Sequence, residues 1–244
     1  MVARDLLGRL REEKAMHLKG GLYHQTQIKL CYNSNRIEGS RLSEEQTRYI
    51  FETNTLNVEE NGCANVDDII ETVNHFTCFD YMLGVADAAL SEKIIKEFHR
   101  ILKSNTSDQK KEWFKIGDYK IKPNMVGDTE TTPPSKVSKA MADLIAVYNN
   151  YDAKNPPVFE GIAAFHYKFE TIHPFQDGNG RVGRMIMFKE CLKHGVMPFI
   201  IDDEHKMFYY RGLKEFPHIQ GYLLDTCRSA QDFYAKLVQY FDGE

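Results

Sequence analysis

Apolar residues recur three and four positions apart along most of the chain, and that spacing predicts one amphipathic helix after another. Leu22, Ile28, Leu30 and Cys31 give a first stripe, with Gly39 placed as its C-terminal stop. Ser43-Glu44-Glu45-Gln46 reads as a capping box that opens the next helix. Asn65 caps a run through Ile69, Ile70, Val73 and Phe76 to about Leu83, with Asp67 and Asp68 in the first turn, where the helix dipole favours carboxylates. Ser91 caps a run through Ile94, Ile95, Phe98 and Leu102. Pro134-Ser135 precedes Val137, Met141, Leu144, Ile145 and Tyr148, and Pro156-Pro157 opens a helix through Ile162, Phe165 and Phe169. Met185, Ile186, Met187, Phe188, Cys191 and Leu192 predict a further helix that ends at Gly195, and two more are expected around Phe208 to Phe216 and Leu223 to Phe241. Only residues 119–134 break the pattern. There Gly127-Asp128 has the chemistry of a type II′ turn between β-prone Val126 and Thr129, which predicts a short hairpin with a free edge. Such an edge is either ordinary surface or a place where an incoming strand pairs.

Composition adds limits. A chain of 244 residues with evenly spread apolar positions can bury one core, so a single all-α domain with terminal elaborations is expected. A formal net charge of −4 gives no general attraction to nucleic acid or to an anionic membrane, and no DNA-binding helix-turn-helix is recognisable after Phe216. No stretch approaches the ~18 consecutive apolar residues of a membrane span. Charges at Arg4, Asp5, Arg9, Arg11, Glu12 and Glu13 interrupt any signal-peptide core, so a cytoplasmic protein is expected. Cys31, Cys63, Cys78, Cys191 and Cys227 are scattered, without a C-x-x-C spacing, and read as reduced thiols.

The chemistry is concentrated in residues 173–184, His-Pro-Phe-Gln-Asp-Gly-Asn-Gly-Arg-Val-Gly-Arg. Arg181 and Arg184 fall near the start of a helix, where cations oppose the dipole. Exposed N–H groups there, a permissive Gly-Asn-Gly turn and two guanidiniums together suit a polyanion such as a phosphate chain. A zinc site built on His166, Glu170 and His173 is disfavoured, because their spacing lacks the H-E-x-x-H pair and no third ligand is evident.

The same string is similar, position for position, to the Fic family signature H-P-F-x-[DE]-G-N-G-R-x-x-R, and the resemblance extends over roughly residues 15–215. It implies a largely helical Fic-type domain with a small hairpin flap that transfers AMP from ATP to a hydroxyl of a target protein. By the same resemblance, His173 is the general base and Asp177 the Mg²⁺ ligand. Gly178, Asn179 and Gly180 form the anion-binding turn, Arg181 and Arg184 bind the outer phosphates, and Phe175 and Pro174 support the loop. Tyr209 and Tyr210 resemble a tyrosine pair at the adenine pocket. Asn124, Met125, Val126, Thr129 and Thr131 belong to the flap that docks the target. Ser34-Asn-Arg-Ile-Glu38-Gly39 is similar to the family's inhibitory motif [ST]-x-x-x-E-[GN], which implies that Glu38 pairs with Arg184 and misdirects ATP, without a separate inhibitor protein. The corresponding division is 1–60 for the N-terminal helices, 61–216 for the catalytic core and 217–244 for a C-terminal helix. Implied partners are ATP, a target protein and the chain itself through self-modification, and a homo-oligomer is allowed. AMP removal or transfer of another nucleotide at the same site is the near rival, and a catalytically inactive nucleotide- or peptide-binding module is the rival of another class.

Overall fold

The computed structural model describes residues 3–58, 62–152 and 158–243. Ten helices account for the fold among these residues: α1 (Ala3–Ala15), α2 (Leu22–Ile37), α3 (Glu44–Thr53), α4 (Val66–Gly84), α5 (Glu92–Lys103), α6 (Pro134–Asp152), α7 (Val158–Ile172), α8 (Asn179–His194), α9 (Lys206–Glu215) and α10 (Gly221–Asp242). Two two-residue strands, β1 (Met125–Val126) and β2 (Thr129–Glu130), pair antiparallel with Val126 opposite Thr129. Gly127 sits at φ +56 and Asp128 does not share the positive region, as a type II′ turn requires. The chain is therefore all-α with a small hairpin.

Local signals set the helix ends. Asn65 accepts from Asp67 N at 2.9 Å, and Ser91 Oγ accepts from Ile94 N at 3.3 Å. The capping box at α3 is complete: Ser43 Oγ accepts from Gln46 N at 3.0 Å, and Gln46 Oε1 accepts from Ser43 N at 2.9 Å. Pro134 is itself the first residue of α6, two places earlier than expected, since the first helical position needs no N–H. Pro156-Pro157 lie outside the described residues. Helix α2 closes in a Schellman arrangement, with Gly39 at φ +100 and N–H bonds from Gly39 to Arg36 O and from Ser40 to Asn35 O, both 3.1 Å.

α8 runs through the middle of the molecule, touching α1, α2, α4, α5 and α7, and it is buried from Asn179 to Leu192. A helix covered on every side shows no apolar stripe, because every face meets a neighbour. Its polar residues are paired instead: Lys189 Nζ donates to Glu190 at 2.6 Å and to the carbonyls of Ala86 and Ala88. Around it Phe79, Phe98, Phe169, Phe175, Phe188 and Tyr234 fill one continuous core. Cys31, Cys78, Cys191 and Cys227 are buried, Cys63 is exposed, and none is bridged. Among the described residues no helix is long and apolar enough to cross a membrane.

Candidate active site

The loop between α7 and α8 is held from within. Phe175 is fully buried and stacks on His99 with centroids 4.0 Å apart. The Asn179 side chain folds back to clasp it, Oδ1 accepting from Phe175 N at 2.8 Å and Nδ2 donating to Phe175 O at 2.9 Å. Gly178 precedes α8 at φ +81, with no side-chain cap on the helix N-terminus. Those first N–H groups therefore have no side-chain capping oxygen, the arrangement that receives anions. His173 stands at φ +50, an uncommon left-handed conformation for a residue with a Cβ, and it occurs at the head of this loop.

The cations around that N-terminus are buried and paired with carboxylates. Arg181, 3% exposed, pairs with Glu71 of α4 and reaches Asp177 Oδ2 at 3.3 Å. Lys103 of α5 donates to Glu71 at 2.5 Å, Asp108 at 2.7 Å and Asp177 at 2.7 Å. Burial alone would raise the Asp177 carboxyl, but Arg181 and Lys103 hold it well below the usual carboxylate range. Its side chain is nonetheless 50% exposed. Arg181 Nε is buried with no hydrogen-bond partner among the described residues, an orphan donor in a site rich in donors.

Arg184, 5% exposed, is gripped from α2. Its Nε donates to Ser34 Oγ at 3.0 Å, and its Nη2 donates to Ser34 O at 2.9 Å and to Glu38 Oε1 at 2.7 Å. Two glycines make this approach possible. A Cβ on Gly180 would meet Glu38 Oε1 at 2.2 Å, and one on Gly183 would meet Glu170 Oε1 at 2.6 Å and His166 at 2.7 Å. Glu170 lies behind Arg184, where burial, and then the nearby Glu38 charge, push its carboxyl up to about 8. Burial, and then the Lys120 charge, lower the His173 imidazole to about 4. It is therefore neutral around pH 7, ready to accept a proton.

The structure brings His173, Asp177, Arg181, Arg184, Ser34 and Glu38 around the motif loop. It divides the tyrosines. Tyr209 is 1% exposed, with its hydroxyl 2.6 Å from His166 Nε2, so its ring belongs to the core; Tyr210 is 41% exposed and donates to Ile37 O at 3.2 Å. Met125, Val126 and Thr129 are exposed on the hairpin, whereas Asn124 and Thr131 turn inward at its base to Lys120. Glu71, Lys103 and Lys120 were not marked by the sequence. Each meets the site through a partner from 52 to 110 positions away, and no local pattern records such contacts. An open cavity of about 930 Å³, lined in part by Arg11, Tyr23, Phe51 and Asp80, shares no residue with this loop.

Residues 89–191 match the model of the Fic/DOC family. Among curated proteins, the chain is 28% identical to "Protein adenylyltransferase Fic" of Nematostella vectensis over 77% of this chain and 42% of that one. It is 27% identical to "Protein adenylyltransferase fic-1" of Caenorhabditis briggsae over 79% of this chain and 37% of that one. The chain thus spans about two fifths of the length of these relatives. In fold it is similar to a Fic domain containing signaling protein of Bacteroides thetaiotaomicron, with a TM-score of 0.76, 22% identity and coverage of 96% and 94% of the two chains. It is also similar to residues 134–508 of Fic-1 of C. elegans, with a TM-score of 0.74, 21% identity and coverage of 99% and 71%. The signature loop and most of the buried central helix lie within residues 89–191, the stretch over which the chain is similar to the Fic/DOC family.

Proposed function

We propose that this chain is a Mg²⁺-dependent protein adenylyltransferase, restrained by its own Glu38. The observation that carries the reading is the Arg184 grip: the guanidinium beside the uncapped N-terminus of α8 already holds one carboxylate oxygen, Glu38 Oε1, as it would hold a phosphate oxygen. Arg181, with its orphan Nε, would hold the leaving phosphates, and the α8 N–H groups would meet the phosphate nearest the reaction. His173 takes the proton from the target hydroxyl as that oxygen bonds to the α-phosphorus. The bond from phosphorus to the bridging oxygen breaks, and pyrophosphate leaves. A neutral imidazole suits that step.

The donor set fits a Mg²⁺ ion that borrows most of its ligands from the nucleotide. Asp177 is ionised and half-exposed, so one carboxylate is available, and among the described residues no cluster of three ligating side chains forms a closed metal cage. The ion would neutralise charge on the phosphates next to Asp177. The exposed Met125-Val126 strand would align a target segment, and Tyr210 is the aromatic ring left open to a purine.

The test is to incubate the Glu38→Gly protein with each labelled nucleoside triphosphate and Mg²⁺ and to weigh the products, its own chain first. AMP attached from ATP is the expected result. Attachment of another nucleotide would reassign the donor, and release of AMP from a modified protein would reverse the direction. Binding without any covalent product, with a target present, would leave a nucleotide-binding module and reject the transferase.

A further inference from the structure

We propose that Lys120 is a positioning residue for the transfer: its buried ammonium ties the hairpin to the backbone just before His173 while its own backbone N–H holds the backbone just after it, so that a strand laid on the hairpin and the imidazole below it keep a fixed separation. The proposal rests on the transferase reading above and deepens it, since it concerns how a target hydroxyl is brought to the base.

The geometry is specific. Lys120 is 3% exposed, although it is a lysine on the arm that leads into the hairpin. Its Nζ donates to Asn124 Oδ1 and Thr131 Oγ1, both at 2.6 Å, and to Ile172 O at 3.4 Å. Its backbone N–H donates to Pro174 O at 2.9 Å. The carbonyls immediately before and after His173 are therefore both bound by one residue. Asn124 and Thr131 flank β1 and β2 and are bonded to each other, Thr131 Oγ1 donating to Asn124 O at 2.9 Å. Asn124 Nδ2 adds a second tie, to Phe175 O at 3.0 Å. An ammonium with three N–H groups and three oxygens is fully used, and its position is correspondingly fixed.

The partners are unusual in another way: all three oxygens are neutral. A buried cation without a carboxylate partner carries a desolvation cost, and burial brings Lys120 down to about 8. That uncompensated charge also acts on His173. The groups facing the imidazole are Glu170 on α7, whose Oε2 is 3.8 Å from Nδ1, Glu38 beyond the end of α2, Asp177 in the same loop and Lys120. The Glu38 and Asp177 carboxylates and a backbone hydrogen bond at Glu170 favour the protonated ring, and Lys120 is the cation that opposes them. Besides setting distance, it keeps the base free of a proton before the target arrives.

The experiment compares Lys120→Met and Lys120→Arg in the Glu38→Gly protein, using two readouts. Target-dependent kcat/KM should fall about tenfold or more in Lys120→Met while KM for ATP holds, and Lys120→Arg, which keeps the charge, should recover most of the loss. The NMR titration of the His173 imidazole, with no nucleotide or target present, should move upward by about half a unit or more in Lys120→Met and stay near the parent in Lys120→Arg. Should Lys120→Met not fold, Lys120→Gln removes the same charge while keeping a donor for Asn124 or Thr131. An unmoved His173 midpoint together with unchanged target kcat/KM overturns the proposal. Equal losses in both variants with an unmoved midpoint also overturn it, and leave Lys120 a structural residue. A shifted midpoint in a protein that transfers nothing would count against the transferase reading alone.

Discussion

At the scale of the residue, the site turns on groups whose protonation is set by burial. His173→Ala removes proton transfer and leaves the anion site, so AMP transfer should drop by roughly 10²–10⁴-fold while ATP binding persists. Retention of more than about a tenth of the parent rate would remove His173 from the role of base. Glu170 gives a second prediction, on stability. Its ordinary value of 4.5 is raised to about 8, so between those values the folded protein keeps a proton that the unfolded chain releases. The stability from this group is complete below pH 4.5 and is lost as pH climbs toward 8. Glu170→Gln cannot titrate there, and thermal melts across this range should decline less steeply with pH than those of the parent. Identical slopes would show that the Glu170 carboxyl is ionised throughout. The sequence made His173 legible because its neighbours are consecutive, whereas the environment that tunes it is not: Lys120, Glu38 and Glu170 come from three different elements.

At the scale of the element, helix ends were the most legible feature. Asn65, Ser91, Ser43 with Gln46, Gly39 and Gly195 all act on backbone groups within a few positions, and a sequence records interactions of that range directly. The α4–α8 contact, by contrast, joins Glu71 to Arg181 across 110 positions and has no local trace. Helix α2 belongs to both kinds. Its motif Ser34 to Glu38 was readable, and its partner Arg184 sits 146 positions from Glu38. Removing the carboxylate by Glu38→Gly should raise AMP transfer, self-modification included, by roughly ten- to a hundredfold, the range of a charge-assisted pair in competition with phosphate. Adding Arg184→Ala should cancel the gain. Rates unaltered by Glu38→Gly, with ATP, Mg²⁺ and target saturating, would make Glu38 an ordinary helix-end residue.

At the scale of the whole molecule, five helices converge on α8, and the same burial that hid its helical periodicity concentrates charge there. Without Glu38, Arg184 is a buried cation held by Ser34 and the Tyr209 hydroxyl but facing no ionised carboxylate in contact among the described residues, so the Glu38→Gly protein should be less stable without nucleotide by roughly 1–2 kcal/mol, a loss of about 2–4 °C per kcal/mol in a chain of this size. ATP with Mg²⁺ supplies the missing anion, and melts in its presence should show the gap to the parent narrowing. A gap that stays constant would mean that the nucleotide does not reach Arg184. The Schellman end of α2 sets the tempo of this exchange. Twelve of the 16 side chains in the helix are buried, so its body stays in place, and release of Arg184 would need only rotation of the Glu38 side chain or fraying of the last turn over Gly39. Helix segments relax in about 0.1–1 μs, whereas an enzyme turns over on the order of ten times a second. On the proposed function the guanidinium would be released and recaptured many thousands of times within each cycle, so the carboxylate would govern a fraction of time rather than a delay, and product should accumulate after mixing without a lag.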